Sequence, residues 1–303
     1  MSPTSRPPGP DANGIASVGR TLDVMRRFGI KAKKSLGQNF LVDPNILRII
    51  VEAAELGPQK GALEIGPGIG ALTEQLARTA GKVVAVEIDR RLIPVLELQL
   101  APFANTTVIH ADILKTDLPR LWTDHFAGSE KASIVANLPY YITTPIVMHV
   151  LESGVPFEHM VIMIQKEVAE RMAAAPGSKA YGSLSVAVQY YCDIRIVTHV
   201  PPTVFIPRPN VESMVIRLTR KDRPAVRVKD ESVFFEVVQA SFAQRRKTLF
   251  NNLVHKYGKD RKEELLAVLR QSGIDPARRG ETLSLEEFAV LADRMLAFRT
   301  AVS

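Results

Sequence analysis

A glycine-rich segment and three acidic residues are the groups in this sequence that could bind a cofactor. Leu63–Gly70 reads LEIGPGIG, follows an apolar run and precedes a helical pattern. Glycines let a backbone turn sharply and approach a ligand closely at a helix N-terminus. Glu87 and Asp112 close the next two apolar runs, where carboxylates can accept hydrogen bonds from ribose hydroxyls and the exocyclic amine of adenine. The pattern predicts a site for an adenosine-containing cofactor, although the glycines alone could serve only a tight turn.

The spacing of the glycines narrows the choice of cofactor. Gly66, Gly68 and Gly70 form GxGxG rather than the GxGxxG of dinucleotide-binding proteins. Glu64, just ahead of the loop, would repel a pyrophosphate but suits the ammonium group of S-adenosylmethionine. The sequence therefore predicts S-adenosylmethionine as the cofactor and disfavours a nicotinamide-dependent dehydrogenase.

A second segment could activate an amine. Asn137-Leu138-Pro139-Tyr140 follows a later apolar run. The Asn137 side-chain oxygen and the Leu138 carbonyl could hold both hydrogens of adenine N6 and favour a pyramidal, nucleophilic nitrogen. Pro139 would rigidify the turn, and Tyr140 would offer a face for base stacking. Such a site acts by orientation and electrostatics. The simpler alternative is a proline turn with a buried tyrosine.

These segments must be positioned by alternating strands and helices. Short apolar runs separated by room for one crossover helix are typical of βαβ units and a parallel sheet covered on both faces. The predicted strands are Ala62–Ile65, Val83–Ile88, Thr107–His110, Ser133–Ala136 and Met160–Ile164, followed by an antiparallel pair, Ile194–His199 and Ser213–Leu218. The fold class is therefore α/β.

The sequence also predicts where individual helices begin, and after Lys221 it predicts helices without further strands. Asp43 is a fair N-cap for a helix with Pro44 at its first position, and Ser284 to Glu287 form a capping box for the last helix. We expect a disordered tail over residues 1–20, the α/β domain over 21–220 and a helical domain over 221–303.

Composition excludes several classes of protein. A single cysteine, Cys192, leaves no internal disulfide, fits a reducing compartment and is expected in the core. The six histidines show no metal-ligand spacing, so no metal is predicted. No apolar run approaches a membrane span, and the polar, proline-rich beginning has no secretory apolar core. We expect a cytoplasmic protein.

The formal net charge of +7 is concentrated at the two ends of the chain. Residues 1–34 carry seven bases and two acids, residues 221–303 carry 16 bases and 12 acids, and the middle is slightly acidic. This asymmetry favours a polyanionic partner such as nucleic acid, although solubility alone would also account for it.

Five segments, in order, resemble the small-subunit (16S) ribosomal RNA adenine N6,N6-dimethyltransferase family, of the KsgA/RsmA type. They are Lys33–Leu41, Leu63–Thr73, Asn137–Pro145, Phe205–Ser213 and Phe242–Leu253. The resemblance implies a class I, Rossmann-like methyltransferase with a mostly parallel seven-stranded sheet and a small C-terminal all-helical, rRNA-binding domain. It also implies dimethylation of two adjacent adenines in a hairpin loop near the 3′ end of small-subunit rRNA, and a role in small-subunit biogenesis.

The resemblance also assigns roles to residues. Gln38, Asn39 and Leu41 would line the S-adenosylmethionine site, together with Gly66, Glu87, Asp112 and Asn137. Phe205 would stack on the target adenine opposite Tyr140. Contacts with the rRNA backbone are expected from exposed cations, although those in the C-terminal domain could be only a solvated helix face. They are Lys33, Lys34, Arg208, Arg245, Arg246 and Lys247. The expected partner is the assembling small ribosomal subunit, and the protein is expected to be a monomer.

Two alternatives to this function remain open at the level of sequence. A large-subunit rRNA adenine methyltransferase of the antibiotic-resistance type shares the cofactor loop and the asparagine motif, but Lys33–Leu41 and Phe242–Leu253 argue against it. A non-catalytic ribosome-assembly factor could keep the fold, although the intact acidic residues and NLPY segment oppose that as its sole role.

Overall fold

The chain divides into two compact units. The computed structural model describes residues 15, 17–31, 33 and 36–300. The first unit runs to Lys166 and resumes over Ile196–Leu218, and the second comprises Glu167–Arg195 and the residues from Thr219 onward. Residues 167–195, which the sequence analysis placed in the α/β domain, thus group with the C-terminal helices. The reason is apolar packing, because Tyr181 and Tyr190 are buried in the helical core.

The seven predicted strands are confirmed as one seven-stranded sheet. Its order is β4-β3-β2-β5-β6-β9-β7, and two very short strands, β1 and β8, form a separate antiparallel pair. The strands are β1 Phe40–Leu41, β2 Gly61–Ile65, β3 Lys82–Glu87, β4 Thr106–His110, β5 Ala132–Asn137, β6 His159–Gln165, β7 Cys192–Val200, β8 Phe205–Ile206 and β9 Ser213–Arg220.

The central strands are parallel and buried. β2 pairs in parallel with β3 on one side and with β5 on the other, and Ile65 lies opposite Ala136. Every residue of β2 is buried, as expected for a sheet covered by helices on both faces. Strand order reverses between β2 and β5, so the crevice for a ligand lies at the carboxyl ends of these two strands.

Twelve α-helices accompany the strands in the described residues. They are α1 Val18–Arg27, α2 Pro44–Ala53, α3 Ala71–Thr79, α4 Ile93–Leu100, α5 Leu118–Phe126, α6 Thr143–Glu152, α7 Lys166–Met172, α8 Ser183–Tyr191, α9 Glu231–Ser241, α10 Leu249–Tyr257, α11 Lys262–Gln271 and α12 Leu285–Thr300. Both predicted caps are confirmed. Asp43 accepts the backbone N–H groups of Asn45 and Ile46, and Ser284 and Glu287 exchange reciprocal hydrogen bonds.

The predicted N-terminal tail extends too far. Residues 1–14 and 16 lie outside the described residues, but Ser17 caps α1, so the helix begins inside the segment expected to be disordered. Ile15 is buried, and its backbone N–H donates to the buried Glu74 carboxylate at 2.6 Å. The sequence analysis missed this anchor because the two residues are far apart in the chain.

The second unit has an apolar core of its own. Its helices bury Phe234, Leu253, Leu269 and Phe288 against one another. Cys192 is buried, as predicted, and burial raises the pKa of its thiol to about 12. Within the part of the chain that the structure describes, no helix is both long and apolar enough to cross a membrane.

Candidate active site

One cavity brings together the predicted cofactor and catalytic residues, with a single exception. It is lined by Gln38, Asn39, Leu41, Glu64, Gly66, Gly68, Glu87, Asp112, Asn137, Leu138, Pro139 and Tyr140. The glycine loop follows β2 and the NLPY segment begins at Asn137, the last residue of β5. The adjacency of these two parallel strands therefore places both at the same edge of the sheet.

The glycine loop has a backbone conformation that would be strained with residues other than glycine. Gly66, Gly68 and Gly70 all have positive φ, and Gly70 immediately precedes α3. A Cβ at Gly68 would lie 3.2 Å from two ring atoms of Phe40. The N-terminal segment, residues 36–41, therefore packs on the loop through the Phe40 ring.

The carboxylates of Glu87 and Asp112 are oriented by backbone N–H groups. Glu87 accepts from Gly68 at 3.2 Å and from Asp89 at 2.7 Å, and its burial raises its pKa. Asp112 accepts from Leu114 at 3.0 Å. A carboxylate offers about four acceptor positions, so each side chain keeps capacity for a ribose hydroxyl or an amine.

Glu64 is the least exposed carboxyl of the site. Its side chain is 1% exposed, and its Oε2 has no hydrogen-bond partner among the described residues. Burial raises the pKa of this carboxyl to about 8. Because an isolated buried carboxylate is costly, the arrangement suits a ligand that brings a positive group to the cavity.

The groups that line the cavity fit S-adenosylmethionine. The glycine loop permits close approach, Glu87 and Asp112 offer acceptors to an adenosine, and Glu64 offers an acceptor to a cation. Ile88, half exposed beside Glu87, adds an apolar wall on which an adenine ring could rest.

Gln38 secures the N-terminal segment through both ends of its amide. Its Nε2 donates to Asp89 at 3.0 Å, and its Oε1 accepts the backbone N–H of Lys33 at 2.9 Å. Hydrogen bonding to Arg91 lowers the pKa of Asp89 to about 2, so this anchor remains ionised at neutral pH. Gln38 lies at the cavity as predicted, but its hydrogen bonds are made within the protein.

The side-chain amide of Asn137 is fixed by the same N-terminal segment. Its Nδ2 donates to the backbone carbonyl of Asn39 at 3.0 Å. Leu138 donates its N–H to Met163 of the neighbouring strand β6 at 3.1 Å. The Asn137 nitrogen is therefore engaged, and its oxygen remains the atom that can accept hydrogen bonds from a ligand.

Phe205 is the predicted residue that does not reach the cavity. It is 2% exposed, belongs to β8 and pairs with Leu41 of β1. Its ring packs in the core of the first unit because this pairing turns it inward. Its stacking on a target base remains a prediction, and it would require the ring to move.

The predicted RNA contacts have different surroundings. Lys33 and Arg208 are exposed, whereas Lys34 lies outside the described residues. Arg245, Arg246 and Lys247 are exposed in the loop between α9 and α10 rather than on a helix, and their contact with RNA stays a prediction.

Four residues around the cavity were not predicted from the sequence: Ile88, Asp89, Tyr141 and Ser213. Ser213 meets the Tyr140 hydroxyl, and Tyr141 extends the cavity wall. Tyr141 and Ser213 lie in two of the segments that resemble the family. This resemblance was the signal that could have identified them from the sequence. Among the described residues, no cluster of three or more His, Cys, Asp or Glu side chains could hold a metal ion.

Comparison with known proteins identifies the family of this chain. The ribosomal RNA adenine dimethylase model matches residues 29–292. Proteins named ribosomal RNA small subunit methyltransferase A are 57% identical in Geobacillus sp. (strain WCH70) and 55% identical in Bacillus mycoides (strain KBAB4). Each alignment covers 93% of this chain and 97% of the relative.

Two solved structures share both fold and sequence. A dimethyladenosine transferase from Plasmodium falciparum has a TM-score of 0.69 and 29% identity, over 86% of this chain and 98% of that one. The 23S rRNA methyltransferase ErmE has a TM-score of 0.63 and 30% identity, over 84% and 99%. With the family model matching most of its length, this chain belongs to the ribosomal RNA adenine dimethylase family.

Proposed function

We propose that this chain uses S-adenosylmethionine to dimethylate N6 of two adjacent adenines in a hairpin loop near the 3′ end of small-subunit rRNA. The observation that carries the proposal is the hydrogen bond from Asn137 to the Asn39 carbonyl, in the cavity shared with the glycine loop. The choice of subunit is supported by relatives named for the small subunit, which are 57% and 55% identical, against 30% for the 23S enzyme.

Methyl transfer to adenine requires that the protein make N6 nucleophilic. The lone pair of this amine is delocalised into the ring, so the free base reacts poorly. The Asn137 Oδ1 and the Leu138 carbonyl would accept its two hydrogens and favour a pyramidal nitrogen. Because the Asn137 Nδ2 is held by Asn39 at 3.0 Å, the acceptor is oriented before substrate arrives. Bound S-adenosylmethionine supplies an electrophilic methyl group on a sulfonium.

Tyr140 would orient the base by stacking. Its ring lines the cavity and its hydroxyl is hydrogen-bonded to Ser213 at 2.7 Å. Burial raises the pKa of this phenol, so it stays protonated at neutral pH. The proton released from N6 after each transfer would therefore go to solvent, and catalysis would rest on position and electrostatics.

The partner would be the rRNA of the assembling small subunit, bound as a monomer in the cytoplasm, where ribosomes assemble. Loop adenines suit this chemistry because unpaired bases can be splayed out and stacked at low cost. The cations expected to contact phosphates are Lys33, Lys34, Arg208, Arg245, Arg246 and Lys247. Residues 221–303 would supply the RNA-binding domain. Light scattering of the purified protein, free and with RNA, tests the monomeric state.

The test is mass-spectrometric mapping of N6,N6-dimethyladenosine on small-subunit rRNA incubated with the protein. Wild type should modify two adjacent loop adenines, whereas Asn137→Ala and Tyr140→Ala should modify neither. Asn45→Ala, an exposed asparagine on α2, is the matched control and should behave as wild type.

The outcomes separate the competing functions. Modification of an adenine in large-subunit rRNA would favour the antibiotic-resistance type. Absence of S-adenosylmethionine binding in calorimetry would favour a non-catalytic assembly factor. Full activity of Asn137→Ala would overturn the proposed chemistry while leaving the substrate in place.

A further inference from the structure

Tyr141 is an exposed aromatic residue beside the catalytic segment. Its side chain is 59% exposed, and it lines the cavity that contains Asn137 and Tyr140. The other large apolar side chains that the described residues expose are aliphatic: Val18, Ile88, Leu98, Ile196, Val211 and Val290. Neither core packing nor the proposed chemistry of Asn137 explains why this aromatic ring is exposed at the cavity.

The ring is supported on one side by the N-terminal segment. A Cβ at Gly37 would lie 3.2 Å from Cδ1 and 3.4 Å from Cε1 of Tyr141, and 3.2 Å from Cβ of Pro139. Gly37 has a φ of +58°, so both its backbone and its missing side chain allow this approach. The ring is held against the backbone and leaves much of its surface to solvent.

We propose that Tyr141 is a stacking platform for the base adjacent to the target adenine. This inference rests on the proposed function and adds a second base subsite to it. A strand whose target base reaches Asn137 must carry its neighbouring base close to the cavity mouth. Every base has a π-face that can stack on an aromatic ring, so the platform accepts either of two adjacent adenines in turn.

The chemistry of the position favours a nucleobase over an apolar protein partner. The cavity that Tyr141 lines also contains Asn137 and Leu138, whose acceptor atoms suit an amine-bearing base. A lone exposed ring offers the area of one base and too little apolar surface for a protein interface. Stacking also restrains the strand without reading its sequence, which suits successive modification of neighbouring positions.

The experiment uses a small-subunit hairpin RNA with 2-aminopurine in place of the base next to the target. Stacking on Tyr141 should quench its fluorescence when the full-length protein binds. Tyr141→Ala should abolish the quenching and weaken RNA binding by about 5- to 150-fold, the range of one base–aromatic stack. Tyr141→Phe should retain both, because the ring and not the hydroxyl is required. Leu98→Ala, an exposed apolar residue on α4, is the matched control and should change neither.

Two results would overturn the proposal. One is wild-type quenching and RNA affinity in Tyr141→Ala. The other is quenching that depends on Tyr141 only when 2-aminopurine replaces the target base itself, which would make Tyr141 a second contact for the target. Neither depends on turnover, so failure of the dimethylation assay is read separately from failure of this subsite.

Discussion

The hydroxyl of Tyr140 lies 2.7 Å from the Oγ of Ser213 and joins the segment after β5 to the first residue of β9. Ser213 is fully buried, and Tyr140 is half-buried at the cavity. A phenol that is anchored at its far end has fewer ring orientations available. We therefore treat Ser213 as a positioning residue for the base-stacking ring.

Ser213→Ala should lower kcat by about 2- to 10-fold, the worth of one hydrogen bond, with little change in KM. In steady-state kinetics the loss should not add to that of Tyr140→Phe, because both variants remove the same contact. Ser133→Ala is the matched control, since Ser133 is also fully buried and donates to the Ala54 carbonyl at 3.1 Å. It should reduce stability but leave kcat unchanged. Additive effects of Ser213→Ala and Tyr140→Phe would refute the positioning role.

Gly68→Ala should weaken binding of S-adenosylmethionine by about 10-fold or more. Alanine at a left-handed φ costs about 1–2 kcal/mol, and its Cβ would also press on the Phe40 ring at 3.2 Å. Calorimetric titration of the cofactor measures the effect. Gly128→Ala provides the control, because Gly128 is exposed and nothing lies within 4 Å of an added Cβ. Equal affinities of the two variants would contradict this account of the loop.

The parts of the fold that depend on local sequence could be predicted. The alternating apolar runs predicted the seven strands, and Asp43 with Pro44 predicted the start of α2. Both predictions were possible because periodicity and capping depend on residues a few positions apart. The acidic residues at successive strand ends likewise identified the cofactor edge. Their convergence follows from the geometry of parallel strands.

The remainder depends on contacts between residues distant in sequence. The pairing of Leu41 with Phe205 joins two strands of two residues each, too short to give a periodic signal, and the Phe205 ring is buried in the core. Gln38 could be placed at the site by resemblance, but its bonds to Lys33 and Asp89 require the folded loop after β3.

Glu64→Gln should change how stability depends on pH. Burial raises the pKa of Glu64 from 4.5 to about 8, so above pH 4.5 the folded state retains a proton that the unfolded chain releases. The contribution of Glu64 to the free energy of unfolding is fully present below pH 4.5 and is lost as the pH rises towards 8. Glutamine is neutral throughout and should avoid this loss, so the variant should gain on the order of 3 kcal/mol over wild type between pH 5 and 8.

Urea unfolding of the cofactor-free protein across this pH range measures the difference. Glu97→Gln, at an exposed position on α4, is the control and should follow the wild-type profile. A Glu64→Gln profile parallel to that of wild type would mean that the carboxyl is already ionised in the folded protein.

The basic loop between α9 and α10 is shaped by a buried amide. The Asn252 side chain donates to the carbonyls of Ser241 at 3.0 Å and Gln244 at 3.2 Å, and it accepts the Gln244 N–H at 3.1 Å. Arg245 is partly engaged within the second unit, because it donates to the Lys179 carbonyl and lies 3.8 Å from Glu281. Phosphate contacts are therefore expected mainly from its two neighbours.

Arg246→Gln with Lys247→Gln should weaken RNA binding and reduce the slope of log affinity against log salt by about 1–2, because each phosphate contact releases counterions. Adding Arg245→Gln should change the slope less. The matched control, Arg48→Gln with Arg120→Gln, removes the same charge from cations that lie 2.6 Å from Glu52 and 3.6 Å from Asp124. Cofactor affinity should be unchanged in every variant. Equal changes of slope in the two double variants would assign the effect to net charge and remove the loop from the RNA contact surface.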